Sequence, residues 1–193
     1  MKNRFEIKGS IAEILLERKG GSTMKTIINS DDLWIAQGFN GMWKAALNRR
    51  RFNGRWGEVT DSEGGTFYVQ GDSIDNKGKN ELLLLHRLIT NCPADLVVDH
   101  KDHNTMNNTR NNLRNVTEAV NSQNRVRGVN NRSGYKNVSW NTNTKKWKVA
   151  VMVNGKRVHF GYFSDVKQAG EAARKARISL IPNYVNICDM GIR

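Results

Sequence analysis

The sequence contains little cysteine, little proline and no long apolar segment. Only two cysteines and two prolines occur among 193 residues. Cys92 and Cys188 have no partners at metal-ligand spacing and are too few for a disulfide framework, so a disulfide-stapled secreted domain is excluded. No apolar run approaches the roughly 20 residues that span a bilayer, and no signal-peptide pattern stands at the N-terminus. These absences predict a soluble intracellular protein, cytoplasmic in location.

Acidic residues are scarce in the last third of the chain. The whole sequence carries a formal charge of +13, and residues 122–193 hold 14 Lys and Arg but only three acidic residues. Such an excess favours a polyanionic partner, either nucleic acid or an anionic membrane surface. No basic amphipathic helix carries the charge, and aromatic side chains alternate with it, namely Trp140, Trp147, His159 and Tyr162. The pattern favours nucleic acid over a membrane or a merely solvated face.

The N-terminal part is mixed in its patterning. Alternation predicts short strands over Thr26–Asn29, Trp43–Leu47 and Thr66–Gln70. Ser30-Asp31-Asp32 is a candidate N-cap for a helix through Ile35. The apolar run Glu81–Thr90 is compatible with either a buried strand or a helix.

Residues 136–180 have a clear strand and helix pattern. Three strand-like segments, Lys136–Trp140, Trp147–Val153 and Arg157–Phe163, are separated by turn residues that include Asn-Gly, a strong hairpin signal. A helix is predicted from the N-cap Ser164 to about Leu180, just before Pro182. We therefore expect a three-stranded antiparallel sheet packed on one helix.

The densest polar cluster runs from Asp99 to Asn124. A strand ending at Asp99-His100, an Asn-rich loop, a second strand and a helix capped by Thr117 would bring Asp99, His100, Asn112 and Asn121 within reach of each other. Carboxylate and amide oxygens suit a magnesium-like cation, and a neutral imidazole suits proton abstraction from water. These are the parts of one-metal phosphodiester hydrolysis. An Asn-rich loop with one His is also compatible with a simple structured turn.

The ordered residue set resembles a known family. The segment His86–Asn124, which runs HRL, VDH-x-D, NN, NLR-x-VT and N-x-x-N, is similar to HNH endonucleases of the ββα-metal fold, particularly the phage and intron-associated homing branch. The resemblance implies that Asp99 and Asn121 bind the metal, that His100 is the general base, and that Asn112 braces the loop bearing it. His86 and Arg87 match the leading pair, interpreted as core or DNA-positioning residues. His103 stands where the family usually has glycine, so the turn differs there or His103 faces substrate.

The segment Ser133–Leu180 resembles a second family, the apetala-two/ethylene-response-factor DNA-binding domain. Alternation places Trp147, Val149 and Val151 on one sheet face, with the charged residues on the other. The resemblance implies that this second face contacts duplex DNA. Together with the arginines of the preceding linker, the candidate DNA-binding residues are Arg125, Arg127, Arg132, Lys136, Trp140, Lys146, Lys148, Arg157, His159 and Tyr162.

The sequence thus predicts an α+β protein in five parts. They are an N-terminal supporting region (1–80), a ββα-metal HNH module (81–125), a basic linker (126–134), the sheet–helix domain (135–181) and a C-terminal tail (182–193). The expected function is that of a phage homing-type HNH endonuclease acting on double-stranded DNA. A sequence-specific DNA-binding regulator with a vestigial HNH module is the alternative, and an RNA-binding or packaging factor is a weaker one.

The expected cofactor is Mg²⁺ or another divalent cation such as Mn²⁺, without structural zinc. A membrane partner is not expected. For a phage-encoded protein the location would be the host cytoplasm. The sequence leaves open the target site, nicking against double-strand cleavage, protein partners, and the choice between monomer and homodimer.

Overall fold

The computed structural model describes residues 1–17, 21–47, 51–52, 55–56, 66–74, 78–124, 131–153 and 155–181. The chain divides into two compact units, Met1–Asn115 and Val116–Arg193. The mixed strand and helix content agrees with the predicted α+β class. Among the described helices, none is long and apolar enough to cross a membrane.

A six-stranded sheet is the scaffold of the first unit. The strands are β1 (Phe5–Lys8), β2 (Ile11–Glu17), β3 (Thr23–Asn29), β4 (Lys44–Leu47), β7 (Phe67–Ile74) and β8 (Asn80–Leu84). They follow the order β1-β2-β4-β7-β8, and β3 pairs antiparallel with β2. Buried side chains on β2 alternate strictly, with Ala12, Ile14 and Leu16 facing the core and the residues between them less buried. Two short strands, β5 (Arg51–Phe52) and β6 (Arg55–Trp56), form a separate pair.

Short helices connect this sheet to the candidate site. A 3₁₀ turn (Ser30–Asp32) leads into α1 (Leu33–Gln37). Asp32, within the predicted capping segment, is the N-cap residue of α1, but its side chain makes no cap hydrogen bond. The apolar run that was compatible with strand or helix contains both, since β8 ends at Leu84 and α2 covers Leu85–Ile89. Leu85 and Ile89 lie one helical turn apart and are both buried in the core.

The polar cluster follows as strand, loop, strand and helix. Strand β9 (Val97–His100) pairs with β10 (Leu113–Val116), and the division between the two units falls within β10. Helix α3 (Glu118–Asn124) begins directly after Thr117. The Thr117 hydroxyl accepts a hydrogen bond from the Val120 amide at 3.3 Å, which confirms the predicted N-cap.

The second unit is a three-stranded antiparallel sheet with one long helix. Strands β11 (Val138–Asn141), β12 (Lys146–Val153) and β13 (Lys156–Phe163) pair in chain order, with a bulge at Val149/Ala150. Helix α4 (Val166–Leu180) packs Ala169, Ala173 and Ala176 onto the sheet. Its N-cap is Asp165, whose side chain accepts from the Gln168 amide at 2.8 Å, so the predicted cap Ser164 is one residue too early.

Candidate active site

The candidate site begins where strand β9 ends. Asp99 and His100 are the last two residues of that strand, and both are buried. Alternation along a strand points consecutive side chains to opposite faces. The two side chains therefore point to opposite faces at one strand end, and each has its own hydrogen-bond partners.

The loop after His100 is held by asparagine and aspartate side chains. Asn112 Oδ1 accepts from the Asp102 amide at 3.0 Å, while its Nδ2 donates to Asp102 Oδ1 at 2.8 Å and to the Asn107 carbonyl at 2.7 Å. Asp102 also accepts from the Asn104 amide at 2.8 Å. Asn112 thus occupies the bracing position that the resemblance implies, and its part in catalysis stays a prediction.

His103 adopts a backbone conformation that normally favours glycine. Its φ is +61°, in the left-handed region, and its amide donates to the His100 carbonyl at 3.0 Å. The turn therefore keeps the left-handed geometry that a glycine there would allow. This geometry accounts for a glycine at the position, and a contact of His103 with substrate stays a prediction.

The side chain of Asn108 contacts His100, although the sequence pattern did not identify Asn108 as a site residue. Its side-chain Oδ1 lies 3.1 Å from His100 Nε2, in a buried contact. Asn108 Nδ2 donates to the Thr105 carbonyl at 3.3 Å, an acceptor that fixes which way the amide points. Because Oδ1 can only accept, His100 Nε2 must carry the proton. The Nδ1 atom of the neutral imidazole is then the basic nitrogen.

Two further aromatic rings surround the imidazole of His100. The ring of buried His86 lies edge-on to it at a centroid distance of 5.5 Å, and Tyr68 lies 5.4 Å from His86 and 6.2 Å from His100. Burial lowers the pKa of His86 to about 3, helped by the nearby His100 and Arg87. Burial also lowers the pKa of His100, although the hydrogen bond to Asn108 and the charges of Asp102 and Asp99 oppose it. Both rings are therefore neutral near pH 7.

Arg87 has a structural role beside this cluster. Its guanidinium donates to the backbone carbonyls of Leu96, Cys92 and Pro93 at 2.8, 3.1 and 2.7 Å. These bonds fix the turn between α2 and β9. The pair His86-Arg87 was interpreted from the sequence as either core or DNA-positioning residues. These contacts support the core interpretation.

Asp99 is paired with an arginine from the neighbouring strand. Arg114 Nη2 and Nε lie 2.6 and 2.8 Å from Asp99 Oδ2, and both side chains are largely buried. A magnesium-like ion uses one or two carboxylates together with water and substrate phosphate oxygens. The buried Asp99 carboxylate beside the imidazole-bearing residue fits that donor chemistry. Within the described ranges, no three His, Cys, Asp or Glu side chains are grouped closely enough to hold a metal.

Asn121, the other predicted metal ligand, belongs to the second unit. It lies in α3, four residues after Thr117, and its amide donates to the Thr117 carbonyl at 3.0 Å. The structure therefore brings Asp99, His100 and Asn112 together in one unit. Metal binding by Asn121 stays a prediction.

The N-terminal sheet holds the loop after His100 in place through β3. The Ile27 amide donates to the Met106 carbonyl at 3.0 Å, the Asn108 amide donates to the Ile27 carbonyl at 2.8 Å, and Ile27 and Asn107 form a parallel bridge. The Thr105 hydroxyl donates to the Phe67 carbonyl on β7. Each of these contacts joins residues at least 38 positions apart, and no local pattern could have predicted them.

The outer face of the second sheet carries five of the ten candidate DNA-binding residues, namely Lys146, Lys148, Arg157, His159 and Tyr162. Strand register places Lys148 opposite Tyr162, Ala150 opposite His159 and Met152 opposite Arg157. Lys148 and Arg157, with Asn137, Ser139 and Ala150, line a shallow hollow of about 210 Å³. Within the described part of β11–β13, this face carries no carboxylate. Lys146 lies on the same face, opposite Asn141.

Trp140 is the exception on this sheet. It lies opposite Trp147 on the helix-facing side, with ring centroids 5.0 Å apart, and it is 49% exposed at the margin. Its predicted place on the charged face is therefore wrong, and DNA contact by Trp140 stays a prediction. Lys136 precedes β11, and its carbonyl accepts from Arg177 at 2.8 Å. Arg132 is exposed, while Arg125 and Arg127 lie outside the described residues.

Comparisons with known proteins match the polar segment that contains Asp99 and His100. Residues 84–123 match the family model described as HNH endonuclease. The chain is also 39% identical, over 77 residues, to an uncharacterized HNH endonuclease of Acanthamoeba polyphaga mimivirus. That alignment covers 37% of this chain and 38% of the relative, so the chain spans well under half of the relative's length. No solved structure matches the chain.

The two matches agree with the geometry of strand, loop, strand and helix. The chain therefore contains a segment similar to an HNH endonuclease domain, and the matches indicate a nuclease. The matched range includes Asp99, His100, Asn108 and Asn112. It does not include the sheet–helix unit, whose likeness to the apetala-two/ethylene-response-factor family remains a resemblance.

Proposed function

We propose that this protein is a divalent-metal-dependent endonuclease that hydrolyses phosphodiester bonds in duplex DNA. One observation carries the proposal. The neutral imidazole of His100, hydrogen-bonded to Asn108 through Nε2, lies at the end of strand β9, and the preceding residue of that strand is the buried carboxylate Asp99. These two side chains have the chemistry of a general base and of a hard metal ligand, and both lie in the segment that matches HNH endonucleases.

In the proposed reaction, His100 takes a proton from the attacking water at Nδ1. Asn108 accepts the hydrogen bond from Nε2–H and so stabilises the imidazolium that forms. Asn112 and Asp102 keep the loop after His100 in one conformation. Asp99 would hold the cation, Mg²⁺ or Mn²⁺, which when bound supplies Lewis-acid stabilisation of charge on the phosphate and the leaving oxygen. The resemblance adds Asn121 as a second ligand.

The pairing of Asp99 with Arg114 bears on this proposal. A buried carboxylate without a positive partner is costly, and the guanidinium of Arg114 compensates the charge of Asp99. An ionised oxygen ligand is what a hard cation requires. Arg114 thus offsets the cost of burying the carboxylate, and it also competes with a cation for that carboxylate.

The outer sheet face of the second unit is the proposed DNA anchor. Lys146, Lys148 and Arg157 share a face on which, within the described strands, no carboxylate competes for them. A twisted sheet can lie in the major groove, where such side chains hold phosphates or contact guanine edges. The linker would follow the DNA backbone between the two contacts through its arginines Arg125, Arg127 and Arg132.

The experiment that tests the activity uses supercoiled plasmid, with Mg²⁺, with Mn²⁺ or with EDTA. Wild-type protein is expected to nick or linearise the plasmid only with a divalent cation. His100→Ala should lose the activity, whereas His103→Gly, a change in the same loop at a turn position, should keep it. A protein that binds the plasmid but never cuts it would instead be a DNA-binding regulator with a vestigial module.

The proposed setting is that of a phage or mobile-element homing endonuclease. The homing branch is the one that the HRL and NLR-x-VT residues resemble, and the relative from mimivirus carries a viral HNH endonuclease name. Such a protein would act in the host cytoplasm. Sequencing of cut ends from a library of random target sites would give the site and show whether one or both strands are cut.

A further inference from the structure

Thr26 makes two hydrogen bonds from one buried hydroxyl. The residue lies on β3 of the N-terminal sheet, outside the segment that matches HNH endonucleases, and it is fully buried. Its Oγ1 is 2.8 Å from the Met106 carbonyl and 2.9 Å from Asn108 Nδ2. A hydroxyl has one proton, and the carbonyl can only accept it. Thr26 therefore donates to Met106 and accepts from Asn108.

The Asn108 amide is consequently fixed from two sides. Its Nδ2 gives one proton to Thr26 and one towards the Thr105 carbonyl, and the residue has no exposed surface. A flipped amide would set its oxygen against the Thr105 carbonyl oxygen. The remaining atom, Oδ1, faces His100 Nε2 at 3.1 Å. A continuous chain of hydrogen bonds thus runs from the N-terminal sheet to the imidazole.

We propose that Thr26 is a positioning residue for His100, acting through Asn108. By holding the amide, Thr26 fixes the Nε2–H tautomer of His100 and directs Nδ1 to the position where a base is needed. The kinetic part of this proposal rests on the proposed nuclease function, while the tautomer part does not. The N-terminal sheet then helps to orient the proposed general base of the segment that matches HNH endonucleases.

A purely structural part for Thr26 makes a different prediction. If Thr26 only fills space in the sheet, valine should serve as well, because it replaces the hydroxyl with a methyl group of similar size. The Met106 carbonyl would still accept from the Ile27 amide at 3.0 Å. The main loss in Thr26→Val is therefore the acceptor for Asn108 Nδ2. Thr26→Ser keeps that acceptor and is the matched control.

The kinetic test measures plasmid cleavage by full-length variants. Thr26→Val should lower kcat about tenfold, the effect of roughly 1.4 kcal/mol on the barrier, and leave KM for DNA unchanged. Thr26→Ser should restore the wild-type kcat. In the background of Asn108→Ala, which breaks the chain of bonds, adding Thr26→Val should change kcat by less than about twofold. Serine as slow as valine, or full additivity with Asn108→Ala, would overturn the proposal.

The spectroscopic test uses ¹⁵N NMR of the His100 ring at a pH where the imidazole is neutral. Wild-type protein should show a protonated Nε2 and an unprotonated Nδ1, and Thr26→Val should show a mixture of tautomers. An Nδ1–H tautomer in the wild type, or unchanged His100 signals in Thr26→Val, would overturn the proposal that Thr26 fixes the tautomer through Asn108. If the wild type never cuts DNA, the proposed nuclease function fails, while these signals still test whether Thr26 fixes the tautomer.

Discussion

The guanidinium of Arg110 binds the carboxylate of Asp32, joining the site loop to the turn after β3. Arg110 Nε lies 2.9 Å from both carboxylate oxygens and Nη2 lies 2.7 Å from Oδ1. Asp32 is only 3% exposed, whereas the Arg110 side chain is 57% exposed. The Arg110 amide also donates to Asn29 Oδ1 at 2.9 Å. The sequence reading assigned this aspartate to a helix cap, and its partner is 78 residues away.

Removing Arg110 should destabilise the first unit. Arg110→Ala leaves the buried Asp32 carboxylate without its cation, and we expect a loss of about 1–2 kcal/mol in the free energy of unfolding, less than for a fully buried pair because Arg110 is solvated. Urea unfolding followed by fluorescence measures it. Lys175→Ala is the control, since Lys175 and Glu171 form an exposed pair on α4. Equal effects of the two changes would contradict the structural importance of Asp32.

The buried His86 should make stability depend on pH. Its pKa is about 3 in the folded protein against an ordinary 6.5, so only the unfolded chain takes up this proton as the pH falls below 6.5. The free energy of unfolding therefore carries no penalty from His86 above pH 6.5. Between pH 6.5 and pH 3 it falls by up to about 1.4 kcal/mol per pH unit. Chemical unfolding at several pH values should show a shallower slope for His86→Gln than for wild type.

The matched control for that measurement is His159→Gln, since His159 is exposed on the second sheet. It should leave the pH dependence of unfolding as in the wild type. The neighbours Tyr68, His100 and Arg87 are present in every variant, so the difference in slope belongs to His86. Identical slopes for His86→Gln and wild type would mean that the ring is protonated or solvated in the folded state.

Substitutions on the outer sheet face should change the salt dependence of DNA binding. If Lys148 and Arg157 each neutralise one phosphate, Lys148→Gln and Arg157→Gln should each reduce the slope of log K against log salt by about 0.9. Fluorescence anisotropy of a labelled duplex measures this slope. Lys175→Gln, on the exposed side of α4, is the control and should leave it unchanged. A slope insensitive to both face variants would move the DNA contact elsewhere.

Replacing His103 by glycine should relieve backbone strain in the site loop. The left-handed φ of +61° disfavours a side chain with a Cβ, and the relief is offset in part by the greater freedom of glycine in the unfolded chain. We expect a net gain of up to about 1 kcal/mol in the free energy of unfolding. His103→Val, β-branched at the same position, should instead destabilise the protein. Thermal unfolding of His103→Gly and His103→Val measures both effects. Equal melting temperatures for the two variants would mean that the backbone at this position is not strained.

Local patterns were sufficient wherever a structure depends on neighbouring residues. The three strands and the helix of the second unit lie within a few residues of their predicted bounds, because alternation, the Asn-Gly turn and the helical repeat act over short distances. Thr117 was recognised as a cap for the same reason. The Glu81–Thr90 run could not be divided by pattern, because continuous apolar residues suit a buried strand and a buried helix equally. Packing in the first unit decided that β8 ends where α2 begins.

The sequence alone determined the chemistry of the site. The order of Asp99, His100 and Asn112 identified an HNH-like segment, and the charge distribution identified a basic second unit. Only the tertiary structure determined what orients those groups. Asn108, Thr26 and Arg110 act through contacts across 8, 82 and 78 positions, and Arg114 reaches Asp99 from the paired strand. Such partners are chosen by strand pairing and burial, which place distant residues within hydrogen-bonding distance. Local sequence carries no signal of them.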